Sequence, residues 1–142
     1  MKTFIAKNIE NKKWYVIDAQ WITLWKIAAK IAPILRWKDK PNFSPHMDNG
    51  AFVVITNCDK FILTWNKMQA KNYYSHSRYA KDGLKTIPAE RMIVKDPTFM
   101  MQHAIAWMIP NNKLKKLILM KLKLFAWDTH THEAQKPEAL II

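Results

Sequence analysis

The chain has 142 residues, with 23 Lys+Arg against 11 Asp+Glu and a formal net charge of +12. One cysteine excludes a disulfide framework and any zinc site built on paired cysteines, and 49% apolar residues exclude a disordered basic tail. So one-sided a charge makes a polyanion the expected partner, nucleic acid foremost, because each well-placed Lys or Arg releases counterions from a phosphate backbone.

In chain order, the opening segment (MKTFIAKNIENKKWY) carries charge every few residues and no apolar h-region, so no secretory signal is expected. Lys13 to Ala19 (KWYVIDA) is a short β-branched and aromatic run that predicts a buried strand. Leu24, Ile27, Ala28, Ile31 and Leu35 then recur at helical spacing, predicting a helix from Thr23 to Arg36 that Pro33 should kink or shorten. Asn42 to Gly50 (NFSPHMDNG) is dense in turn formers and reads as an ordered loop. Phe52 to Thr56 predicts a second buried strand, and Phe61 to Thr64 a third after a turn at Asn57 to Lys60. Residues 71–86 are polar and aromatic with few apolar anchors, so they read as a long exposed loop or protruding arm.

Pro88 opens a short helix with Glu90 in its first turn, and Pro97 opens a longer one through Trp107. From Lys113 to Phe125, Leu114, Leu117, Ile118, Leu122 and Phe125 share one helical face, with Lys116 and Lys123 off it. No stretch approaches the roughly 18 uninterrupted apolar residues of a spanning helix, and the tail from Thr129 reads as irregular. Strand, helix, strand and then more helices predict a single α/β domain over residues 1–142, soluble and intracellular, with a largely parallel sheet.

The sequence has neither GxGxxG nor GxxxxGK[ST], so no cofactor loop is expected. Cys58, beside a strand, reads as a small buried hydrophobe rather than a nucleophile. Asp18 ends the first strand without a partner acid or histidine nearby, which points to a turn or capping role. His130 and His132 could pair as metal ligands, but no third ligand stands at suitable spacing, and phosphate or backbone contacts are the better reading. No catalytic residue, metal or small-molecule substrate is expected.

The cations fall into four clusters: Lys38 with Lys40, Lys67 with Lys71, Arg78 to Lys85, and Lys113 to Lys123, which includes Lys121 and Lys123. The arm Asn72-Tyr73-Tyr74-Ser75-His76-Ser77-Arg78-Tyr79 interleaves aromatic and basic groups, which suits stacking on irregular or single-stranded RNA. Two rivals stay open on the residues alone. One is a basic α/β RNA-binding or RNA-modifying protein. The other binds a membrane surface through 113–125, although that apolar face is needed to complete the core.

Several motifs together resemble the bacterial large-subunit ribosomal protein L-thirteen family. They are Trp14-Tyr15-Val16-Ile17-Asp18-Ala19, Phe43-Ser44-Pro45-His46-Met47-Asp48-Asn49-Gly50, Tyr73-Tyr74-x-His76-Ser77, Gly83-Leu84-Lys85 and Met108-Ile109-Pro110. The ending Lys121-Leu122-Lys123-Leu124-Phe125-Ala126, then His130-x-His132-x-Ala134-Gln135-x-Pro137, is similar to that family's C-terminal signature. The resemblance runs in order along essentially the whole chain. It implies a three-layer α/β/α fold with a small central sheet, RNA-facing loops and an irregular C-terminal tail. It also implies a non-catalytic protein of the cytoplasmic ribosome that binds large-subunit rRNA early in assembly, beside neighbouring large-subunit proteins. By position, the RNA-facing residues it implies are Lys38, Lys40 and His46; Asn66 and Lys67; Tyr73, Tyr74, His76 and Lys85; Asn112, Lys113, Lys115 and Lys116; and His130, His132 and Gln135. Lys71, Arg78, Lys121 and Lys123 join them from the charge clusters.

The sequence departs from that pattern in a selective way. It has 2 glycines, where average usage gives about ten, and 7 tryptophans. Trp21, Trp25, Trp37, Trp65, Trp107 and Trp127 stand where the family has glycine, and only Trp14 stands where it has tryptophan. Trp37 follows the last periodic residue of a helix, a position that favours glycine, and Trp21 and Trp65 lie in tight turns. Glycine written as UGA and read as tryptophan would explain all six. Arg78, Ala80, Lys81 and Asp82 in place of a Gly- and Pro-containing turn, Lys115 in place of glycine, and Pro33 are further departures.

Overall fold

The computed structural model describes residues 12–78 and 83–142. The reading of the extreme N-terminus, and Ala80, Lys81 and Asp82 of the arm, lie outside the described residues.

Strand β1 (Trp14–Asp18) and strand β2 (Phe52–Thr56) pair in parallel, with Trp14 opposite Phe52 and Asp18 opposite Thr56. Trp14 and Phe52 stack at 4.3 Å with 7° between their planes, closing one end of the ladder. Parallel neighbours require a crossover, which helix α1 (Leu24–Leu35) supplies. Its Leu24, Ile27, Ala28, Ile31 and Leu35 are buried, as their spacing predicts. Pro33 sits in the last turn, where the helix is ending anyway. The end is a two-bond cap in which the Trp37 N–H donates to Ile34 O at 3.2 Å and the Lys38 N–H to Pro33 O at 2.9 Å.

The remaining elements are helix α2 (Lys67–Ala70), strands β3 (Asn72–His76) and β4 (Leu84–Pro88), and helices α3 (Ala89–Lys95), α4 (Phe99–Met108) and α5 (Lys115–Met120). Strands β5 (Leu122–Leu124) and β6 (Glu138–Ala139) follow. The central sheet runs β5-β2-β1-β6, parallel at every step, with helices flanking it in three α/β/α layers. Ile17, Val53 and Ile55 of the sheet, Ile27, Ile31 and Leu35 of α1, and Met100, Met101 and Ile105 of α4 are fully buried in one core. α1 packs against α4.

Four expectations are corrected. Phe61 to Thr64 is not a strand but a single parallel bridge, Ile62 to Thr23, because α1 begins at the next residue and leaves no ladder to extend. Within the segment 71–86, residues 72–76 and 84–86 are not a loop: β3 and β4 form an antiparallel ribbon, with Tyr73 opposite Ile87. One ribbon face is polar and solvated, so the segment lacks the apolar run that marks a buried strand. The stretch 113–125 is not one helix: α5 stops at Met120, and Leu122–Leu124 are captured as an edge strand by β2, with Val53 opposite Leu122. The tail is only partly irregular, since a short 3-10 turn (Glu133–Gln135) precedes β6, which pairs with Tyr15 and Val16.

Asp18 takes the turn role expected of it: its Oδ1 accepts from the Gln20 N–H at 2.9 Å and from Asn57 Nδ2 at 2.8 Å. Cys58 is fully buried, and desolvation pushes its thiol up to about 12, so the thiolate is not available.

A buried cation joins three of these elements. Lys121 is 4% exposed, and its ammonium donates to Leu35 O at 2.9 Å, to Gly50 O at 3.1 Å and to the Asp48 carboxylate. Burial lowers its pKa, and the Asp48 partner opposes that. Lys12 supports the same carboxylate from 3.7 Å and donates to Asp48 O at 2.7 Å. Gly50 is obligatory here, since a Cβ would lie 1.7 Å from Leu35 O and 2.7 Å from the Lys121 ammonium.

Lys121→Met removes the donor of two carbonyls and leaves the Asp48 carboxylate to Lys12 alone, so urea unfolding should show a loss of about 3 kcal/mol or more. Gly50→Ala should cost at least as much. A loss under about 1 kcal/mol in either variant would show that the junction relaxes freely.

Candidate nucleic-acid interface

The candidate RNA-facing residues divide by depth. Lys38, Lys40, His46, Asn66, Lys67, Lys71, Tyr74, His76, Arg78, Lys85, Asn112, Lys113, Lys116 and Gln135 are exposed. Lys115, Lys123, His130 and His132 are half-buried. Lys121 and Tyr73 are buried, and this corrects their place in the candidate set. The Lys121 ammonium is committed to internal acceptors, and the Tyr73 ring is packed inside.

Tyr73 shows how the arm is held. Its ring meets Phe99 edge-on at 5.5 Å and His103 edge-on at 5.6 Å, while Phe99 and His103 stack at 5.5 Å. The Lys71 ammonium lies 4.9 Å above the Tyr73 ring. Alternation along β3 turns Tyr74 to the other side, where it is 66% exposed and free to stack. Lys67, Lys71 and Tyr74 border a groove of about 620 Å³ between the ribbon, α1 and α4, with His103 in its wall. Lys67 also donates to Thr64 Oγ1 at 3.4 Å.

His103 connects two clusters that are distant in sequence. Its pKa is lowered first by burial, then by the charges of Lys71 and Lys115. Lys71 closes α2 and Lys115 opens α5, so two segments distant in sequence each place one charge near His103 of α4. On the latter side, Asn112, Lys115 and Lys116 line a shallow cavity of about 550 Å³ with Gln102 and Asn111. The sequence reading passed over His103. The spacing of Phe99 and His103, four residues apart along one helix face, is the signal that could have marked it.

The loop carrying Lys38, Lys40 and His46 is pinned at both ends. Arg36 lies 5.8 Å over the Phe43 ring, and Asp48 is tied to Lys12 and Lys121. Lys40 pairs with Asp39 at 3.8 Å, a solvent-exposed contact of little strength. In the tail, His132 packs 5.2 Å from Trp14 and 5.8 Å from Phe125, and its N–H donates to His130 Nδ1 at 3.2 Å. Among the described residues no group of three His, Cys, Asp or Glu is placed to hold a metal ion. No helix among them is long and apolar enough to cross a membrane.

The basic α/β body thus presents lysines from loops and helix ends and an exposed tyrosine from strand β3. A family profile described as ribosomal protein L13 matches residues 12–131. The chain belongs to that family. Its relatives include the large ribosomal subunit protein uL13 of Spiroplasma citri, 48% identical over 135 residues, which cover 95% of this chain and 92% of that protein. The uL13 of Caldicellulosiruptor saccharolyticus is 45% identical over 143 residues, covering all of both chains. That of Clostridioides difficile is 43% identical over 141 residues, covering 99% and 98%. The similarity to the L13 family thus extends along essentially the whole chain, as the ordered motifs imply.

The depressed pKa of His103 has a defined sign. The folded protein binds fewer protons at this site than the unfolded chain, so the stability it contributes is complete above the ordinary imidazole value of 6.5. That stability is lost as pH falls through the lowered folded value. The thermal midpoint should fall between roughly pH 7 and pH 5, and His103→Gln should show a smaller fall. Equal slopes in the two proteins would remove His103 from that account.

Proposed function

We propose that this chain is a structural constituent of the large ribosomal subunit in the cytoplasm. It binds large-subunit rRNA early in assembly, as one domain beside neighbouring large-subunit proteins. It is a structural part rather than an enzyme. Membership of the L13 family and relatives named as large ribosomal subunit proteins support the ribosomal role. The observation that supports rRNA as the partner is the groove bordered by Lys67, Lys71 and the exposed Tyr74, set on a framework held by Tyr73, Phe99 and His103. Phosphate contacts would come from Lys38 and Lys40, Lys67 and Lys71, Arg78 and Lys85, and Lys113, Lys115 and Lys116, with Lys123 at the edge of the sheet. Asn66, Asn112, His46, His76, His130, His132 and Gln135 would add polar contacts, and Tyr74 would stack.

Contacts dominated by phosphate are strongly salt-dependent. Binding of the purified chain to large-subunit rRNA should weaken by about 10³-fold or more between ~50 and ~200 mM salt. Replacing Lys67 and Lys71, or Lys113 and Lys116, by Gln should each lower the slope of log K against log salt by about 2, with the fold intact by circular dichroism. A flat salt response would overturn the proposal.

A further inference from the structure

The seven tryptophans fall into two groups. Trp14 lies in a strand, half-buried and stacked on Phe52. Trp21, Trp37 and Trp65 have φ of 61°, 64° and 61°, the left-handed region that L residues with bulky side chains avoid. The other positive-φ residues among those described are Asn57, whose type tolerates it, and Lys136.

Each local setting asks for glycine. The Ile22 N–H donates to Ala19 O at 3.3 Å, so Trp21 is the third residue of a β-turn, and its positive φ after a Gln20 that lacks one is the type II pattern. Trp37 is the left-handed residue in the two-bond cap that ends α1, the position where glycine is strongly preferred, and its indole Nε1 is buried without a hydrogen-bond partner. Trp65 is 92% exposed, so no packing offsets its backbone strain.

Trp25, Trp107 and Trp127 have ordinary φ, but they are 61%, 78% and 75% exposed. Trp107 makes one polar contact, its Nε1 donating to His103 at 3.0 Å. Five indoles that stand mostly in solvent contribute nothing to the core, and tryptophan is a residue type that is highly buried on average. Meanwhile the chain holds 2 glycines where about ten are ordinary.

From this we infer that the cell inserts glycine, not tryptophan, at Trp21, Trp25, Trp37, Trp65, Trp107 and Trp127, through a UGA codon that it reads as glycine. Trp14 is then the genuine tryptophan. UGA is one base from the glycine codon GGA and one from the tryptophan codon UGG. Reading it as tryptophan turns every glycine so encoded into an apparent tryptophan. Indoles displayed for stacking on nucleobases would account for the exposure, but not for three of them on left-handed backbone. The inference does not depend on rRNA binding.

The test is peptide mass spectrometry on a tryptic digest of total protein from the source cells, so that it does not matter where in the cell the protein resides. Peptide 14–26 carries Trp14, Trp21 and Trp25 together and so contains its own control. It should show tryptophan at 14 and glycine at 21 and 25, each exchange replacing an indolylmethyl group by hydrogen. Peptide 61–67 should likewise show glycine at 65. The gene should carry UGA at all six positions and UGG at 14. Tryptophan in the peptides at any of the six, or UGG in the gene there, overturns the inference. As a second readout, a recombinant chain with Trp21→Gly, Trp37→Gly and Trp65→Gly should melt higher by about 5–10 °C. An unchanged or lowered midpoint would remove the conformational basis.

Discussion

The ammonium of Lys121 is the point on which the architecture converges. It arrives from the junction of α5 and β5, and it is met there by the last carbonyl of α1, by the Asp48 carboxylate and by Gly50. A charge taken out of water is tolerable only when its partners are complete. The junction therefore holds all three segments in place at once. It needs a backbone without a side chain at Gly50, because the α1 terminus occupies the space a Cβ would require. It also explains why the chain turns from helix to strand at this lysine, with β5 laid against β2 on the next residues.

The surface follows from that anchoring. Asp48 closes the loop that carries Lys38, Lys40 and His46, so the buried cation indirectly positions the exposed ones. On another side, Tyr73, Phe99 and His103 pack ring against ring and bind the β3–β4 ribbon to α4. Groups held on packed elements lose little freedom when they meet a rigid partner, which favours contact at several points over contact through a mobile tail. The chain's relatives in the L13 family are named as large ribosomal subunit proteins.

The tryptophans run against this order. A sequence that folds well agrees with its fold at each level, and a local conflict repeated on one residue type needs a common cause. In the turn after β1, the cap of α1 and the turn before α2, the backbone has the conformation that glycine adopts freely. The conflict lies in the side chains alone, and restoring glycine resolves it without moving any element.

Local order determined much of this protein. The β-branched runs at Trp14–Asp18 and Phe52–Thr56, the helical period from Leu24 to Leu35, the turn at Asp18 and the left-handed end of α1 at Trp37 are all short-range features, and all were legible in the sequence. The positive charge was legible as well, and with it the expectation of a polyanionic partner. Tertiary structure alone decided that Lys121 faces inward, that Leu122–Leu124 is a strand, that Tyr73 is mortar while Tyr74 is exposed, and that His103 packs against Tyr73 and Phe99. A lysine within an amphipathic run looks the same whether it will meet a phosphate or a carbonyl. The difference for Lys121 lies in Leu35 and Gly50, 86 and 71 residues away along the chain, and periodicity carries no information at that range.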